Sequence, residues 1–476
     1  MKIFRYRLGK EVSATFWFIV STFVVRAVSL ITTPLYTRLL TNEQYGMISN
    51  YNTWSGILSI IFTLSIASNA FNKGLIQFEN KRKEFLSSVI ILTACTTFVG
   101  FMVCTVFKEF LYTFSSLEYK YFVFMFVGLF LNVSVGFWNL CKKFDGQYYS
   151  VIVFNIVSTV VAVPMTYLVI KYVDCDKVFA KILLESLIPY VWGGIYAVKS
   201  VIGVHKKVIW KCWKFALVFC IPLLPHYMAN HLLNQSDRLM ITYYSGAGDT
   251  AIYSVAYMAS QIINICWTVV TGVYIPWLYK KMNSKDLSKV RNSSTMIVML
   301  VLVVCVVVML FAPEYMKVMA PESYSEGTCV VPIIMAGTFC LMVCQMWSNV
   351  ELFFMEKNYV VTIATLVSAL INIILNMLMI PRLGYIAAAY TTLIGYLIML
   401  VIHFVNVKQL KLQKYFNLKL HLLFVVLSVL ISIIVQFFYR HFALRILILF
   451  IIVLIGWRKK LYLKNVFIEL KGDNDE

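Results

Sequence analysis

One arginine in this 476-residue chain lies where a positive charge is costly to place. Arg26 sits near the middle of an apolar run from about residue 13 to residue 36. If this run is a helix crossing a bilayer, the guanidinium lies roughly 20 Å from either surface at 1.5 Å per residue, and insertion there costs about 2.5–3.5 kcal/mol or more. Such a residue favours binding of an anion in a water-filled cavity. The alternative is a structural pair with a carboxylate such as Glu185, or with helix-end carbonyls.

Small hydroxyl side chains accompany this arginine at helical spacing. Thr22, Arg26, Ser29 and Thr33 follow steps of four, three and four residues, which places them on one helix face. Small hydroxyls by themselves are typical of helix–helix contacts in membranes. Because they share a face with Arg26, we interpret them as the lining of a substrate-binding lumen.

A second unusual segment lies near the middle of the chain. Pro222 and Pro225 predict a break in its helical hydrogen bonding. Two adjacent polar stripes follow, at helical spacing, and half of this helix is therefore unsuited to lipid. The first stripe contains His226, Asn230, Asn234 and Asp237, and the second contains Tyr227, His231, Gln235 and Arg238. Asn230, Asn234, Asp237 and Arg238 are candidate substrate-binding residues, although Arg238 suits structural anchoring equally well.

Three later segments carry uncharged polar stripes. The next helix is expected to place Tyr257, Gln261 and Asn264 on one face, and a helix near residue 370 contains Asn372 among Thr365, Ser368 and Asn376. A third stripe contains Thr338, Gln345 and Asn349. Amides and tyrosines at depth suit a hydroxyl-rich ligand such as a sugar. They equally suit hydrogen bonds between helices, which are worth about 0.6 kcal/mol each.

The elements that must position these residues are membrane-spanning helices. Of all residues 61% are apolar or aromatic and only 13% are charged, against about 25% charged in soluble domains. The apolar runs show no strand-like alternation and are long enough to span a bilayer as helices. We count fourteen predicted spans: 12–37, 45–72, 85–107, 119–141, 148–171, 178–202, 215–244, 250–279, 294–319, 329–354, 359–380, 384–406, 420–438 and 441–457.

The distribution of basic residues predicts the orientation of these spans. Of the 42 Lys and Arg residues, 30 are assigned to alternate connections and the adjoining span ends, both termini included, 11 are assigned to the others, and Arg26 is left at mid-span. Cytoplasmic loops carry the excess of Lys and Arg, so both termini are predicted to be cytoplasmic. The net charge of +20 is thereby explained without a nucleic-acid partner.

A faint internal repeat organises the spans. The segment from Tyr36 to Ser49 is similar to the segment from Tyr243 to Tyr257, about 208 residues later. The sequence therefore predicts an all-α polytopic membrane protein of about fourteen transmembrane helices. Two six-helix lobes, residues 1–205 and 206–410, form a parallel pseudo-repeat, and residues 411–476 add two further helices and a cytoplasmic tail.

Motifs for other kinds of chemistry do not occur in the sequence. It has no Walker-type phosphate loop, zinc motif or nucleophile elbow. His226 and His231 diverge by about 140° around a helix, which disfavours a shared metal, and the eleven cysteines are scattered. The connecting loops are too short to fold as domains. We therefore expect a protein that is not an enzyme and that has no metal and no cofactor.

Four segments carry a family resemblance. The segment from Pro34 to Gly46 resembles the opening signature of bacterial polysaccharide flippases, which belong to the multidrug/oligosaccharidyl-lipid/polysaccharide exporter superfamily. The segments Ser236–Ile241, Ile252–Tyr257 and Asn376–Tyr390 are similar to its later signatures. With the fourteen spans, the resemblance covers nearly the whole chain.

The resemblance implies a function and a location. Such proteins move undecaprenyl-diphosphate-linked oligosaccharides across the bacterial cytoplasmic membrane by alternating access, for capsule or lipopolysaccharide synthesis alongside glycosyltransferases and a polymerase. In related flippases the cavity between the lobes is cationic, with an arginine in the first helix, and Arg26 falls on that place. The alternatives are an ion-coupled multidrug or cation antiporter of the same superfamily and, from another class, a membrane-embedded polysaccharide polymerase or ligase. The first two spans contain no Asp or Glu at depth, which disfavours the antiporter.

Overall fold

The computed structural model describes residues 28, 30–202, 204, 209–283, 287–354 and 359–458, and within these it contains helices and no strands. The predicted all-α polytopic fold is confirmed. Ten helical segments of the described residues are long and apolar enough to cross a membrane, with one run of 51 residues counted once. The protein is therefore a multi-pass membrane protein. Many of its exposed side chains are large and apolar, as contact with lipid requires.

The chain divides into two compact units, Met1–Ala251 and Ile252–Glu476. Helix α1 covers residues 30–39 of the first unit. The helices that follow are α2 (Asn42–Phe62), α3 (Ala70–Gln77), α4 (Arg82–Val106), α5 (Lys108–Ser115), α6 (Tyr119–Phe144), α7 (Tyr148–Tyr172), α8 (Lys177–Val201), α9 (Trp210–Cys220), α10 (Leu224–Ser245) and α11 (Ala247–Tyr257). The predicted lobe boundaries at 205 and 410 stay predictions.

The first unit is held together by aromatic and aliphatic contacts between helices distant in sequence. Helix α8 packs on α6 and α7, and α10 packs on α2. One core cluster joins Tyr36 and Tyr51 with Met125 and Phe126 of α6. A second cluster contains Phe71, Phe85 and Phe137, and the Phe71 ring contacts the rings of both others.

Several helix ends follow from local sequence. Helix α2 begins at a capping box, in which the Thr41 hydroxyl accepts from the Gln44 amide and the Gln44 side chain accepts from the Thr41 amide. Asp176 caps α8 and accepts from the backbone amides of Val178 and Phe179. Partial burial raises the pKa of Asp176, but hydrogen bonds from Lys120, from the Phe179 amide and from Tyr121 outweigh it and hold this pKa below its ordinary value.

The seventh predicted span is broken where its prolines predict. Helix α9 ends at Cys220, a 3₁₀ turn covers Ile221–Leu223, and α10 begins at Leu224. Pro222 lies within the turn and Pro225 in the first turn of α10, where its missing amide donor is harmless. The predicted break in the helical hydrogen bonding of this span is confirmed.

The second unit is built around one buried helix. Its helices are α12 (Ser260–Asn283), α13 (Leu287–Leu310), α14 (Ala312–Met319), α15 (Val330–Phe354), α16 (Tyr359–Gln409), α17 (Leu418–Ile434) and α18 (Phe442–Arg458). Helix α15 contacts α12, α13, α16 and α17. Helix α16 is two spans in succession, because Gly384 takes φ 61° and ψ −152° and interrupts it. This backbone conformation suits glycine, and the break lies in the predicted connection between spans eleven and twelve.

Candidate functional site

The described part of the first span contains one of its four predicted site residues. Thr33 is 4% exposed, and its carbonyl accepts from the Thr37 hydroxyl at 3.0 Å. Thr22, Arg26 and Ser29 lie outside the described residues, so their roles stay predictions.

Helix α10 presents a polar surface on one side and packs on the other. Asn230 is exposed and Asn234 is partly exposed, and the Asn234 amide donates to the side-chain and backbone oxygens of Asn230 at 2.9 and 2.6 Å. His231 faces α2, where a methyl group added to Gly56 would lie 2.3 Å from its ring. The two asparagines are therefore bonded to each other at the surface of α10, and their contact with a substrate stays a prediction.

The charged residues of α10 are already paired. Arg238 is 7% exposed and donates to the Asn234 carbonyl at 3.2 Å and to the Gln235 side chain. Its guanidinium lies 3.9 Å from the Asp237 carboxylate, which is 1% exposed. This arrangement fits the anchoring interpretation of Arg238 and leaves its contact with substrate a prediction.

Two of the family-like segments meet in space at a place we call the α2–α10 junction, formed by Tyr45, Gly46, Asp237, Arg238 and Ala247. A methyl group added to Gly46 would lie 1.7 Å from the carbonyl oxygen of Ala247. Tyr45 lies within electrostatic range of Arg238. The segments are about 190 residues apart in sequence, so the tertiary fold brings them near each other.

A second ion pair near this junction was missed by the sequence analysis. The Lys181 ammonium lies 2.7 Å from the Glu185 carboxylate and 4.4 Å from the centre of the Tyr36 ring. Tyr45 is within electrostatic range of Glu185 as well. Lys181 lies one turn inside α8 and is 9% exposed. The signal was available, because Lys181 and Glu185 stand four residues apart on one helix face.

These contacts limit anion binding by Arg238 at the junction and by Lys181 near it. Lys181 and Arg238 each have a carboxylate neighbour, so an anionic ligand would bind either one only by displacing that carboxylate or by joining it. Glu185, our structural candidate for pairing with Arg26, has Lys181 as a partner.

In the second unit, the predicted residues fall into two groups. Gln261 and Asn264 are partly exposed on α12, whereas Tyr257 is 8% exposed. A turn at residues 258–259 separates α11 from α12, with three-residue hydrogen bonds such as Ala259 to Ala256. The polar stripe that we predicted along one continuous helix is therefore interrupted.

Asn372 lies in a buried network rather than on a surface. It is 0% exposed and donates to the Thr392 hydroxyl at 3.3 Å, while its oxygen accepts from Asn376 at 3.3 Å. Thr391 donates to Asn376 in turn. These bonds join the two halves of α16, which is the structural alternative that the sequence left open for such stripes.

No group of three or more His, Cys, Asp or Glu side chains suited to a metal ion occurs among the described residues. The described cysteines are unpaired thiols. Cys340 and Cys344, which share a face of α15, both contact the Tyr396 carbonyl.

Comparisons with known proteins place this architecture. A family model described as "Polysaccharide biosynthesis protein" matches residues 12–282. The Lsg locus putative protein 1 of Haemophilus influenzae is 24% identical over 353 residues, which cover 71% of this chain and 84% of that protein.

Solved structures agree on the fold. The lipid II flippase MurJ in its inward closed conformation aligns with a TM-score of 0.65 and 14% identity, covering 90% of this chain and 99% of that chain. An inward-facing multidrug resistance MATE family transporter of the MOP superfamily aligns with a TM-score of 0.62 and 11% identity, covering 81% and 94%. At such identities the likeness establishes the fold. Since the family model covers more than half of the chain, the protein belongs to the polysaccharide biosynthesis family, built on the transporter fold that MurJ and MATE proteins share.

Proposed function

We propose that this protein is a flippase that moves an undecaprenyl-diphosphate-linked oligosaccharide across the bacterial cytoplasmic membrane for synthesis of a surface polysaccharide. The observation that carries the proposal is the match to a polysaccharide biosynthesis family in a chain folded like a flippase of a lipid-linked precursor. Both termini would be cytoplasmic, and glycosyltransferases and a polymerase would act before and after it.

The chemistry of the predicted residues supports this substrate class. A diphosphate carries about two negative charges, and a guanidinium binds phosphate oxygens through two parallel hydrogen bonds. We assign Arg26 to the diphosphate, with Thr22, Ser29 and Thr33 on the same helix face. The exposed amides of Asn230 and Asn234 and the partly exposed Gln261 and Asn264 have the donors and acceptors that a glycan needs. The polyprenyl tail would stay among the acyl chains of the membrane lipids.

Alternating access supplies the transport step in this proposal. A cavity opens in turn to each side of the membrane, and the break at Ile221–Leu223 serves as a hinge. No catalytic step is assigned to the chain, and no cofactor enters the mechanism.

The substitution Arg26→Ala tests the proposal. We expect loss of surface polysaccharide while the protein still inserts, because the diphosphate loses its counter-charge. Arg26→Lys should give intermediate export, since an ammonium keeps the charge but loses the bidentate geometry. Surface glycan is measured on intact cells with a glycan-specific antibody or lectin, and insertion by immunoblotting of the membrane fraction.

Arg440→Ala serves as the matched control, because Arg440 is exposed in the α17–α18 connection. Normal export by Arg26→Ala would remove Arg26 from the site. If deletion of the whole protein leaves surface polysaccharide unchanged but makes cells sensitive to cationic drugs, the antiporter alternative takes its place.

A further inference from the structure

A buried acid–base pair lies in the second unit, away from the residues assigned to substrate. Glu351 of α15 and His403 of α16 are 2% and 0% exposed, and the His403 Nδ1 lies 2.8 Å from a Glu351 carboxylate oxygen. Neither residue was singled out from the sequence, since they stand 52 positions apart. Ionisable groups within a membrane domain are expensive to bury, and their retention points to a function by default.

Both members of the pair have an atom left over. Glu351 Oε1 and His403 Nε2 are buried and have no hydrogen-bond partner in the described part of the chain. The amide nitrogen of Asn406, one turn along the same face of α16, is also unpartnered. A buried pair kept only for stability would be expected to satisfy these atoms, because an unpaired buried polar group destabilises the fold.

Nε2 of His403 is the atom at which the pair can bind a proton. When His403 Nδ1–H donates to the Glu351 carboxylate, Nε2 carries a lone pair, and the pair has a net charge of −1. A proton that binds at Nε2 forms an imidazolium beside the carboxylate, and the net charge becomes zero. Binding of this proton therefore removes the net charge from the interior. A net charge without a partner costs more to bury than an ion pair does.

A nearby histidine provides an internal contrast. Trp347 lies one turn before Glu351 on α15, and its indole nitrogen donates to Nδ1 of His421 on α17 at 3.1 Å. Indole is a donor only, so protonation of His421 at Nδ1 would break this bond. Trp347 thus holds one histidine neutral, while Glu351 offers the other a carboxylate.

The described residues around the pair include few other titratable or charged groups. On α15 Cys344 lies within electrostatic range of Glu351. On α16 the Lys408 ammonium lies 4.4 Å from the centre of the Phe404 ring. From α12, Tyr279 donates to the Asn349 carbonyl, and α13, which packs on α15, has Lys289 and Arg291 near its start. The carboxylate of Glu351 is therefore the acidic group closest to His403 in this contact set.

We propose that Glu351 and His403 form a proton-binding site that couples transport to the proton gradient. The pair joins α15, the buried helix of the second unit, to the second half of α16, near the ends of both helices. Binding and release of one proton change the charge between these helices from −1 to zero and back, which alters how tightly they pack. This inference rests on the proposed function as a flippase.

The test uses the full chain reconstituted in proteoliposomes with an imposed pH gradient. The probe is the lipid-linked oligosaccharide pool extracted from cells that lack this protein, and its distribution is measured by accessibility to an added glycosidase. If one proton moves per cycle, each pH unit changes the substrate ratio across the membrane by up to about tenfold, since one pH unit equals about 1.36 kcal/mol. In Glu351→Gln and His403→Asn we expect this ratio to stay near one at any gradient, with equilibration still occurring.

His421→Asn is the matched control, because it removes the other buried histidine and keeps an acceptor for Trp347; its gradient response should equal that of the unsubstituted protein. A structural role would slow equilibration without removing the response to the gradient. The inference fails if Glu351→Gln transports and still follows the gradient. If the unsubstituted protein moves no oligosaccharide, the proposed function itself fails.

A direct titration completes the test. The chain has six histidines, few enough to assign by single substitution in ¹⁵N-histidine spectra of the protein in lipid nanodiscs. We expect acidification to add a proton at Nε2 of His403 and to leave Nδ1 of His421 bonded to Trp347. A His403 ring that never gains this proton while the protein stays folded would overturn the proton site.

Discussion

At the scale of single residues, the sequence shows which charged side chains lie within apolar segments, but it does not show their partners on other helices. Arg26 stood out because it lies within an apolar run. Lys181, Glu351 and His403 did not stand out, because each is notable only together with its partner. The partner of Lys181 is a carboxylate one turn away on the same helix. Glu351 and His403 are partners of each other on two helices, 52 positions apart in the sequence. Spacing within one helix was available to sequence reasoning, whereas contacts between helices were not.

A third ion pair gives a residue-scale prediction about pH. Arg445 of α18 is 3% exposed and binds both oxygens of Glu314 on α14, at 2.6 and 2.8 Å. The hydrogen bonds from Arg445 hold the pKa of Glu314 below its ordinary value of 4.5. A depressed carboxyl pKa stabilises the fold fully above the unfolded-state value, and this stability is lost as the pH falls through the folded-state value.

Glu314→Gln should therefore lower the thermal unfolding temperature at neutral pH. We expect about 1 kcal/mol, or roughly 2 °C, because Glu314 is 39% exposed and solvent screens the pair. At about pH 3 the difference between the variant and the unsubstituted protein should shrink. Detergent-solubilised protein and intrinsic fluorescence provide the measurement. Glu322→Gln, an exposed acid just after α14, is the control; an unfolding temperature difference for Glu314→Gln that is independent of pH would contradict the account.

At the scale of helices, close approach decides which positions must be glycine. Both Gly46 of α2 and Gly136 of α6 lie within helices, and their sequences alone give no reason to distinguish them. The structure does, because a methyl group at Gly46 would collide with the Ala247 backbone, while at Gly136 it would reach the Ala67 methyl group at an ordinary 3.8 Å.

Gly46→Ala should destabilise the protein, and Gly136→Ala should not. A backbone collision forces α2 away from the start of α11, at a cost of about 1–3 kcal/mol or more. Alanine in a helix otherwise gains up to about 1 kcal/mol over glycine. The comparison is made by the yield of monodisperse protein and by its thermal unfolding. Equal stability of the two variants would show that the α2–α10 junction is looser than described.

The all-α fold of many spans was predictable from the sequence for physical reasons. A bilayer requires about twenty apolar residues per helix, and every backbone group must be bonded within it. The predicted breaks at Pro222 and near Gly384 were also local, since proline lacks a donor and glycine admits positive φ. The break between α11 and α12 was missed, because residues 258 and 259 include neither proline nor glycine.

At the scale of the whole molecule, the basic residues predict orientation in the membrane. Over the whole chain, 30 Lys and Arg residues are assigned to the side that includes the α6–α7 connection and 11 to the side that includes the α7–α8 connection. The first connection should therefore be cytoplasmic and the second external.

Reporter fusions test this orientation across one helix. Alkaline phosphatase joined after residue 146 should be inactive and should become active after residue 174, while green fluorescent protein should show the opposite pattern. A C-terminal fluorescent fusion should be bright. Active phosphatase at residue 146 would show that the topology is the inverse of the predicted one. The predicted cytoplasmic location of both termini would then be wrong. The substrate proposal would survive, because inversion does not change the predicted depth of Arg26 in the membrane.

The sequence by itself determined that this protein lies in a membrane and folds as a series of apolar helices, and it carried the resemblance to a family. Membrane insertion and helix formation depend on hydrophobicity and turn chemistry within about twenty-five consecutive residues. The resemblance depends on four short segments, so neither inference needs knowledge of which helices pack together. Only the tertiary structure decided which polar side chains already have a hydrogen-bond or ion-pair partner within the protein. Asn372 bonds to Thr392, Arg238 stands beside Asp237, and Glu351 meets His403. Such pairings depend on which helix faces meet, and that is set by packing over the whole unit.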